Sequence, residues 1–278
     1  MREKTDYNRL EDFVHFLISD EKSEATVEKY RRDAEAFISF LGGEEVTKEK
    51  AVSYKEKLLE KGYTIRSINS MIAGINKYLL FIGRGDCRVR SIKLQREFFC
   101  PEKKELTKEE YLRLVDAAAS KPRLCLLLQT ICSTGIRVSE LRYFTMEAIR
   151  SGEIRVLAKG KCRTVLLPGK LRKRLMDYAK KQGITSGPLF RTRSGRALDR
   201  SNIWTAMKEL CAKACVEAEK VFPHNLRKLF ARIFYRESKD IAKLADILGH
   251  SSINTTRIYI VSTGKEHRRM LENLCLIQ

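Results

Sequence analysis

The spacing of apolar positions divides the chain into helical stretches around one short β interval. Leu10, Phe13, Val14 and Leu17 share a face and predict a helix over about residues 8–19. A second helix follows Ser23 and runs to Leu41, with Val27, Tyr30, Ala34, Phe37 and Ile38 as its stripe; Gly42 and Gly43 stop it. A third spans about 48–61 and ends at Gly62. A fourth, over 65–82, carries Ile68, Ile72, Ile75 and Leu79 and ends at Gly83. Residues 1–84 therefore read as a small helical bundle. Residues 85–105 are basic and irregular, and read as a linker. Thr107 and Glu110 form a T-x-x-E capping box, which starts a second domain over 106–278.

In that second domain the apolar spacing predicts helices over 108–119 and 122–134. Leu124, Leu126, Leu127, Leu128 and Ile131 make the latter central to a core. Thr134-Gly135 breaks it, and Arg137 stands at the entry of the next helix. Residues 153–157 and 163–167 alternate as short strands joined by a Lys-Gly-Lys turn. Helices over 170–182 and 201–218 flank the loop RTRSGRALDR. From His224 a helix carries Leu226, Leu229, Phe230 and Ile233. Ser238 reads as the N-cap of the next helix, with Ile241, Leu244, Ala245 and Leu248 as its stripe and Gly249 as its C-cap. Ser251 or Ser252 caps a third short helix bearing Tyr259. Met270, Leu271, Leu274 and Leu276 place a short apolar stripe on a basic tail. The fold class is mainly α, with one small antiparallel sheet.

Charge narrows the partners. The net charge is +20. Residues 1–100 hold 19 Lys and Arg against 17 Asp and Glu, whereas residues 101–278 hold 36 against 18. A folded domain with that excess faces a polyanion, with nucleic acid the first candidate and a membrane surface the alternative. No apolar run is long enough for a span, and no signal peptide opens the chain, so a cytoplasmic, nucleoid-associated protein is expected. The eight cysteines lack a CxxC pair, and no histidine has metal-ligand spacing to one of them. No metal and no cofactor is expected.

Six side chains can act together on a phosphate: Arg137, Lys159, His224, Arg227, His250 and Tyr259. His224 and Arg227 are three apart and share a helix face. A tyrosine that attacks phosphorus must lose its proton. At a free pKa of about 10 this costs roughly 4 kcal/mol at neutral pH, which a nearby base and a cationic site offset. Two guanidiniums clamp the charge developing on the non-bridging oxygens. A lysine on the hairpin can protonate the leaving 5′ oxygen. Taken singly, each residue has an ordinary structural explanation. Arg137, for instance, is placed to pair with Glu140, and Tyr259 could sit at a core edge.

In combination, TGIRVSEL, the KGK hairpin, HNLR, LGH and a tyrosine nine residues after the LGH histidine resemble the tyrosine recombinase (phage integrase) family. The likeness covers about residues 105–260, and the preceding bundle looks like that family's core-binding domain. The resemblance implies an α+β catalytic domain and a 3′-phosphotyrosyl intermediate formed without metal or ATP. It implies Arg137 and Arg227 as the phosphate clamp, Lys159 as general acid, His224 as base and His250 as a phosphate donor. Tyr259 becomes the nucleophile, and Glu140 orients the site. The turn is one residue shorter than the family pattern, so Lys161 stays open as the acid. Lys161, Arg163, Arg191, Arg193 and Arg196 are expected contacts to DNA. The resemblance further implies a tetramer on double-stranded DNA, accessory DNA-bending or directionality proteins, and a tail that docks on a neighbouring protomer; the tail's apolar stripe alone equally fits packing on its own domain. A type IB topoisomerase-like activity, a non-catalytic DNA binder on the same fold and an enzyme acting on RNA are the rivals.

Overall fold

The computed structural model describes residues 9–94, 105–158, 161–192, 194–260 and 272–274. The chain divides into two compact units, Met1–Arg96 and Glu97–Gln278.

The first unit is four helices: α1 (Arg9–Ser19), α2 (Glu24–Leu41), α3 (Lys48–Glu60) and α4 (Ile65–Phe81). Their apolar stripes meet in one core around Phe13, Phe37, Ile68, Tyr78 and Leu79. Thr47 and Thr64 cap α3 and α4 by accepting from the backbone N–H three residues on. Helices α2 and α4 pack closely at Gly74, where a β-carbon would meet Asp33 Oδ2 at 2.5 Å. Asp33 is itself held by Lys29, which also donates to the Ser70 carbonyl.

The second unit opens with α5 (Lys108–Ala117), started by the expected capping box: Thr107 accepts from the Glu110 N–H, and Glu110 accepts from the Thr107 N–H. Then come α6 (Pro122–Thr134), a 3₁₀ turn (Val138–Tyr143) and α7 (Met146–Ser151). Strands β1 (Glu153–Ala158) and β2 (Lys161–Leu166) pair antiparallel, with Val156 opposite Arg163. The pairing reaches Ala158 and Lys161, so the strands run longer and their connection is shorter than the sequence pattern suggested. Ile154 and Val156 point into the core, while Leu157 and Leu166 lie outside.

Helices α8 (Gly169–Lys181), α9 (Arg200–Lys208), α10 (Leu210–Ala214), α11 (Pro223–Ser238), α12 (Ile241–Leu248) and α13 (Ile253–Arg257) complete the unit. The single helix expected over 201–218 is interrupted at Glu209 and ends at Cys215, which is left-handed with φ +51°. Glu209 keeps helical angles (φ −60°, ψ −22°), so the apolar spacing carries through the break and reads as one helix. Ser238 is the last residue of α11, not a cap. Asp240 caps α12, its carboxylate accepting from the Lys243 N–H at 2.9 Å. The main core gathers α6, β1 and α8 around Leu128, Ile131, Ile154 and Leu175. A separate small cluster of Ala231, Leu244, Leu248 and Tyr259, flanked by Phe230 and Phe234, lies among α11, α12 and the segment after α13. Among the described residues no helix is long and apolar enough to cross a membrane.

Candidate active site

The site is assembled from chain breaks and helix ends. Gly135 ends α6 at φ +63°, a conformation that disfavours a β-carbon, and a β-carbon there would meet the Phe230 ring at 2.3 Å. Just beyond, Arg137 begins the 3₁₀ turn. The Glu140 carboxylate accepts from the Arg137 N–H at 2.8 Å and from its Nη1 at 2.9 Å. Glu140 is buried, while the Arg137 side chain remains 42% exposed. The pairing predicted by the i,i+3 spacing therefore forms and still leaves the guanidinium open to solvent.

Pro223 occupies the first turn of α11, where its fixed φ suits the helix and its missing N–H costs nothing. Helix α11 carries His224 and Arg227 one turn apart. Arg227 is 1% exposed. It donates to the Gly135 carbonyl through Nη1, and through Nη2 to the Leu248 carbonyl at 2.7 Å and to His250 Nε2 at 3.0 Å. Its buried Nε has no partner. Burial first, then Arg137 nearby, pushes its pKa down to about 10, which leaves it cationic at neutral pH.

Gly249 ends α12 in the left-handed region (φ +65°). Its N–H donates to the Asp246 carbonyl at 3.0 Å, and the His250 N–H donates to the Ala245 carbonyl at 2.9 Å. This paired helix-end closure fixes the His250 backbone. Because arginine has no acceptor, His250 Nε2 accepts from Arg227, and Nδ1–H donates to Thr256 Oγ1 at 2.9 Å. His250 is therefore a neutral imidazole. Burial, reinforced by Arg227, Arg137, Arg163 and His224, pushes its pKa down to about 4. With both nitrogens engaged, it orients Arg227 in this arrangement and holds no free N–H.

Ser252 caps α13 by accepting from the Asn254 N–H at 3.2 Å, and Thr256 on α13 is fully buried. Tyr259 follows, 9% exposed. Its ring centre is 5.7 Å from Arg227 Cζ, 5.1 Å from the His224 ring and 5.0 Å from the His250 ring. His224 is exposed. Partial desolvation first, then the cations Lys228, Arg227, Arg137 and Arg200, hold its pKa below the ordinary histidine value.

Arg137, His224, Arg227, His250, Tyr259 and Glu140 thus form one connected cluster. Lys159 and Arg193 lie outside the described residues. Lys161 opens β2 opposite Ala158. Arg196 is exposed and Arg191 half-buried, on a loop closed by an Arg191–Ala197 bridge. Arg163, expected on the DNA-facing surface, turns inward instead. Its side chain is 14% exposed and donates to Glu140 and to the Ile247 carbonyl. The reason is strand alternation: Arg163 shares a face with buried Val165 and lies opposite buried Val156. The alternation could have revealed this from the sequence. Thr256 was missed altogether, since nothing in INTTR marks one threonine as a histidine's partner.

Among the described residues no group of three or more His, Cys, Asp or Glu is placed to hold a metal ion. The cluster concentrates fixed cations, two neutral imidazoles and one phenol. That is a donor set for binding a phosphate and attacking it with an oxygen nucleophile.

This chemistry and fold agree with what the chain is similar to. Residues 104–266 match the phage integrase family, and residues 10–84 match the N-terminal SAM-like domain of phage integrases. The chain belongs to the phage integrase family, and it is a tyrosine-type site-specific DNA recombinase. It is 32% identical over 289 residues to the tyrosine recombinase XerA of Pyrococcus furiosus, covering 100% of this chain and 98% of that relative. The crystal structure of XerA recombinase superposes with a TM-score of 0.55 at 26% identity, over 98% of this chain and 99% of that one. A lambda integrase tetramer bound to a Holliday junction shares the fold (TM-score 0.73, 18% identity, 92% of this chain and 78% of that one).

Proposed function

We propose that the Tyr259 phenol attacks a DNA phosphodiester, forms a 3′-phosphotyrosyl bond and releases a 5′ hydroxyl. The observation that carries this reading is the seating of the Tyr259 ring against Arg227, His224 and His250. Arg137 is oriented by Glu140 yet open, and Arg227 keeps one buried N–H unmatched. Together they hold the scissile phosphate and the charge that grows on its non-bridging oxygens. His224 is neutral and beside the phenol, so it takes the phenolic proton. The leaving 5′ oxygen gains a proton from Lys159, the hairpin lysine of the family pattern, or from Lys161. His250 holds Arg227 and turns to the phosphate only when its Nε2 exchanges partners.

The ester keeps the energy of the broken bond, so attack by another strand's 5′ hydroxyl rejoins DNA without ATP. Four protomers on two duplexes give reciprocal exchange, with the helical unit Met1–Arg96 gripping the duplex beside the catalytic unit's contacts. Accessory DNA-bending or directionality proteins set the outcome on a given site. The decisive experiment uses nicked suicide duplexes drawn from DNA flanking the gene. A covalent adduct that mass spectrometry maps to Tyr259 is expected. An adduct on another residue, or free nicked DNA alone, contradicts the proposal.

A further inference from the structure

Glu140 is 2% exposed and holds two guanidiniums at once. Oε1 accepts from Arg137 Nη1, and Oε2 accepts from the Arg137 N–H and, at 2.7 Å, from Arg163 Nη2. The other terminal nitrogen of Arg163 donates to the Ile247 carbonyl at 2.7 Å. One side chain therefore ties together strand β2, the Arg137–Glu140 turn and the end of α12. Each of these pieces carries or adjoins a candidate member of the site: Lys161 in β2, Arg137 in the turn and His250 just after α12.

Gly249 belongs to the same arrangement. Besides its positive φ, a β-carbon there would meet Arg163 Cδ at 2.4 Å and Nε at 2.7 Å. The glycine of the Leu-Gly-His run both closes the helix and leaves a passage for the Arg163 stem.

Charge gives the tie a second consequence. Arg137 and Glu140 alone are a neutral pair, and a buried carboxylate beside a guanidinium weakens its pull on a phosphate. Arg163 adds a positive charge on the far side of that carboxylate. The trio is then net cationic, with the open Arg137 as its outward face.

We propose that Arg163 is a positioning residue for strand cleavage: it locks Glu140 and the end of α12 in place and offsets the Glu140 charge, so that Arg137 stays oriented and cationic toward the phosphate. This rests on the reading of Arg137 as a phosphate clamp.

The test compares Arg163→Gln, Arg163→Lys, Glu140→Gln and the Arg163→Gln/Glu140→Gln double variant in the full chain. The probe is a nicked duplex carrying the site that the wild-type protein selects from a random-sequence library. Single-turnover adduct formation and duplex affinity are measured separately. Arg163→Gln should slow adduct formation by about 30-fold or more while changing affinity by less than about threefold. Arg163→Lys should recover part of the rate, since it restores charge without the bridge. In the Glu140→Gln background the Arg163→Gln change should cost at least about tenfold less, as members of one network couple. Additive losses, or weaker binding with unchanged cleavage, overturn the proposal.

A second measurement needs no cleavage. The chain has four histidines, so the ring resonances of His250 can be assigned by NMR. Arg163→Gln should displace those of His250 and leave those of His15 unmoved. An unmoved His250 refutes the tie. A wild-type protein that forms no adduct refutes the strand-cleavage reading instead, which keeps the two failures apart.

Discussion

The Tyr259 ring and the Arg227 guanidinium lie together, 5.7 Å from ring centre to Cζ, within a single chain. Arg227 is fixed by two carbonyls and a histidine, whereas the tyrosine rests on a small apolar cluster. The Arg227 guanidinium is thus fixed, and the Tyr259 ring is seated against it.

Tyr259→Phe should abolish covalent attachment to a nicked duplex. Affinity for the same duplex should change by less than about twofold, because only a hydroxyl is removed from a buried ring. Gel shift and denaturing electrophoresis separate the two quantities. Persistent adduct in the Phe variant would show that another residue attacks.

The two arginines should respond differently to lysine. Arg137→Lys removes the forked contact from a side chain that is 42% exposed and keeps a cation beside Glu140, so cleavage should fall by roughly 10²–10³-fold with little change in Tm. Arg227→Lys also strands the Gly135 or Leu248 carbonyl inside the protein, at a cost of about 1–3 kcal/mol. It should lose both activity and thermal stability. Equal Tm values for the two variants would contradict this division.

Acid should destabilise the catalytic unit through His250. Its folded pKa is about 4, below the ordinary 6.5. Between those values the unfolded chain binds a proton that the folded chain does not, so stability is full above about 6.5 and falls as pH drops toward 4. His224, also lowered, acts in the same direction. His250→Gln should flatten the decline of Tm over this interval. An unchanged slope would mean that the imidazole is not held neutral.

Cleavage should proceed fully in chelator, because fixed guanidiniums supply the positive charge at the phosphate. Single-turnover rates in EDTA and in added magnesium should agree within about twofold; a rate restored only by the metal would require a different chemistry.

Much of this site was readable from residue spacing because it depends on local geometry. His224 and Arg227 share a helix face at three residues apart, Gly249 forces a helix to end where His250 begins, and Glu140 lies one turn after Arg137. The bonds that join these pieces were not readable. Arg227 reaches the Gly135 carbonyl and His250 reaches Thr256, and backbone acceptors and a threonine hydroxyl leave no pattern in a sequence. Arg163 misled for another reason. A basic residue near a basic turn looks like surface, and only the strand's twofold alternation reveals that it faces inward. The bundle of residues 9–81 shows the opposite case, since four amphipathic stripes, three of them followed by a glycine stop, define their helices without long-range information.

The apolar seat beneath Tyr259 stands apart from the large core that α6 anchors. Local opening costs least where few apolar neighbours must be exposed. The segment of residues 253–260, which bears Tyr259, can therefore lift away while Arg227 keeps its carbonyl partners. Hydrogen exchange should register this as early loss of protection at residues 253–260, well before α6 opens.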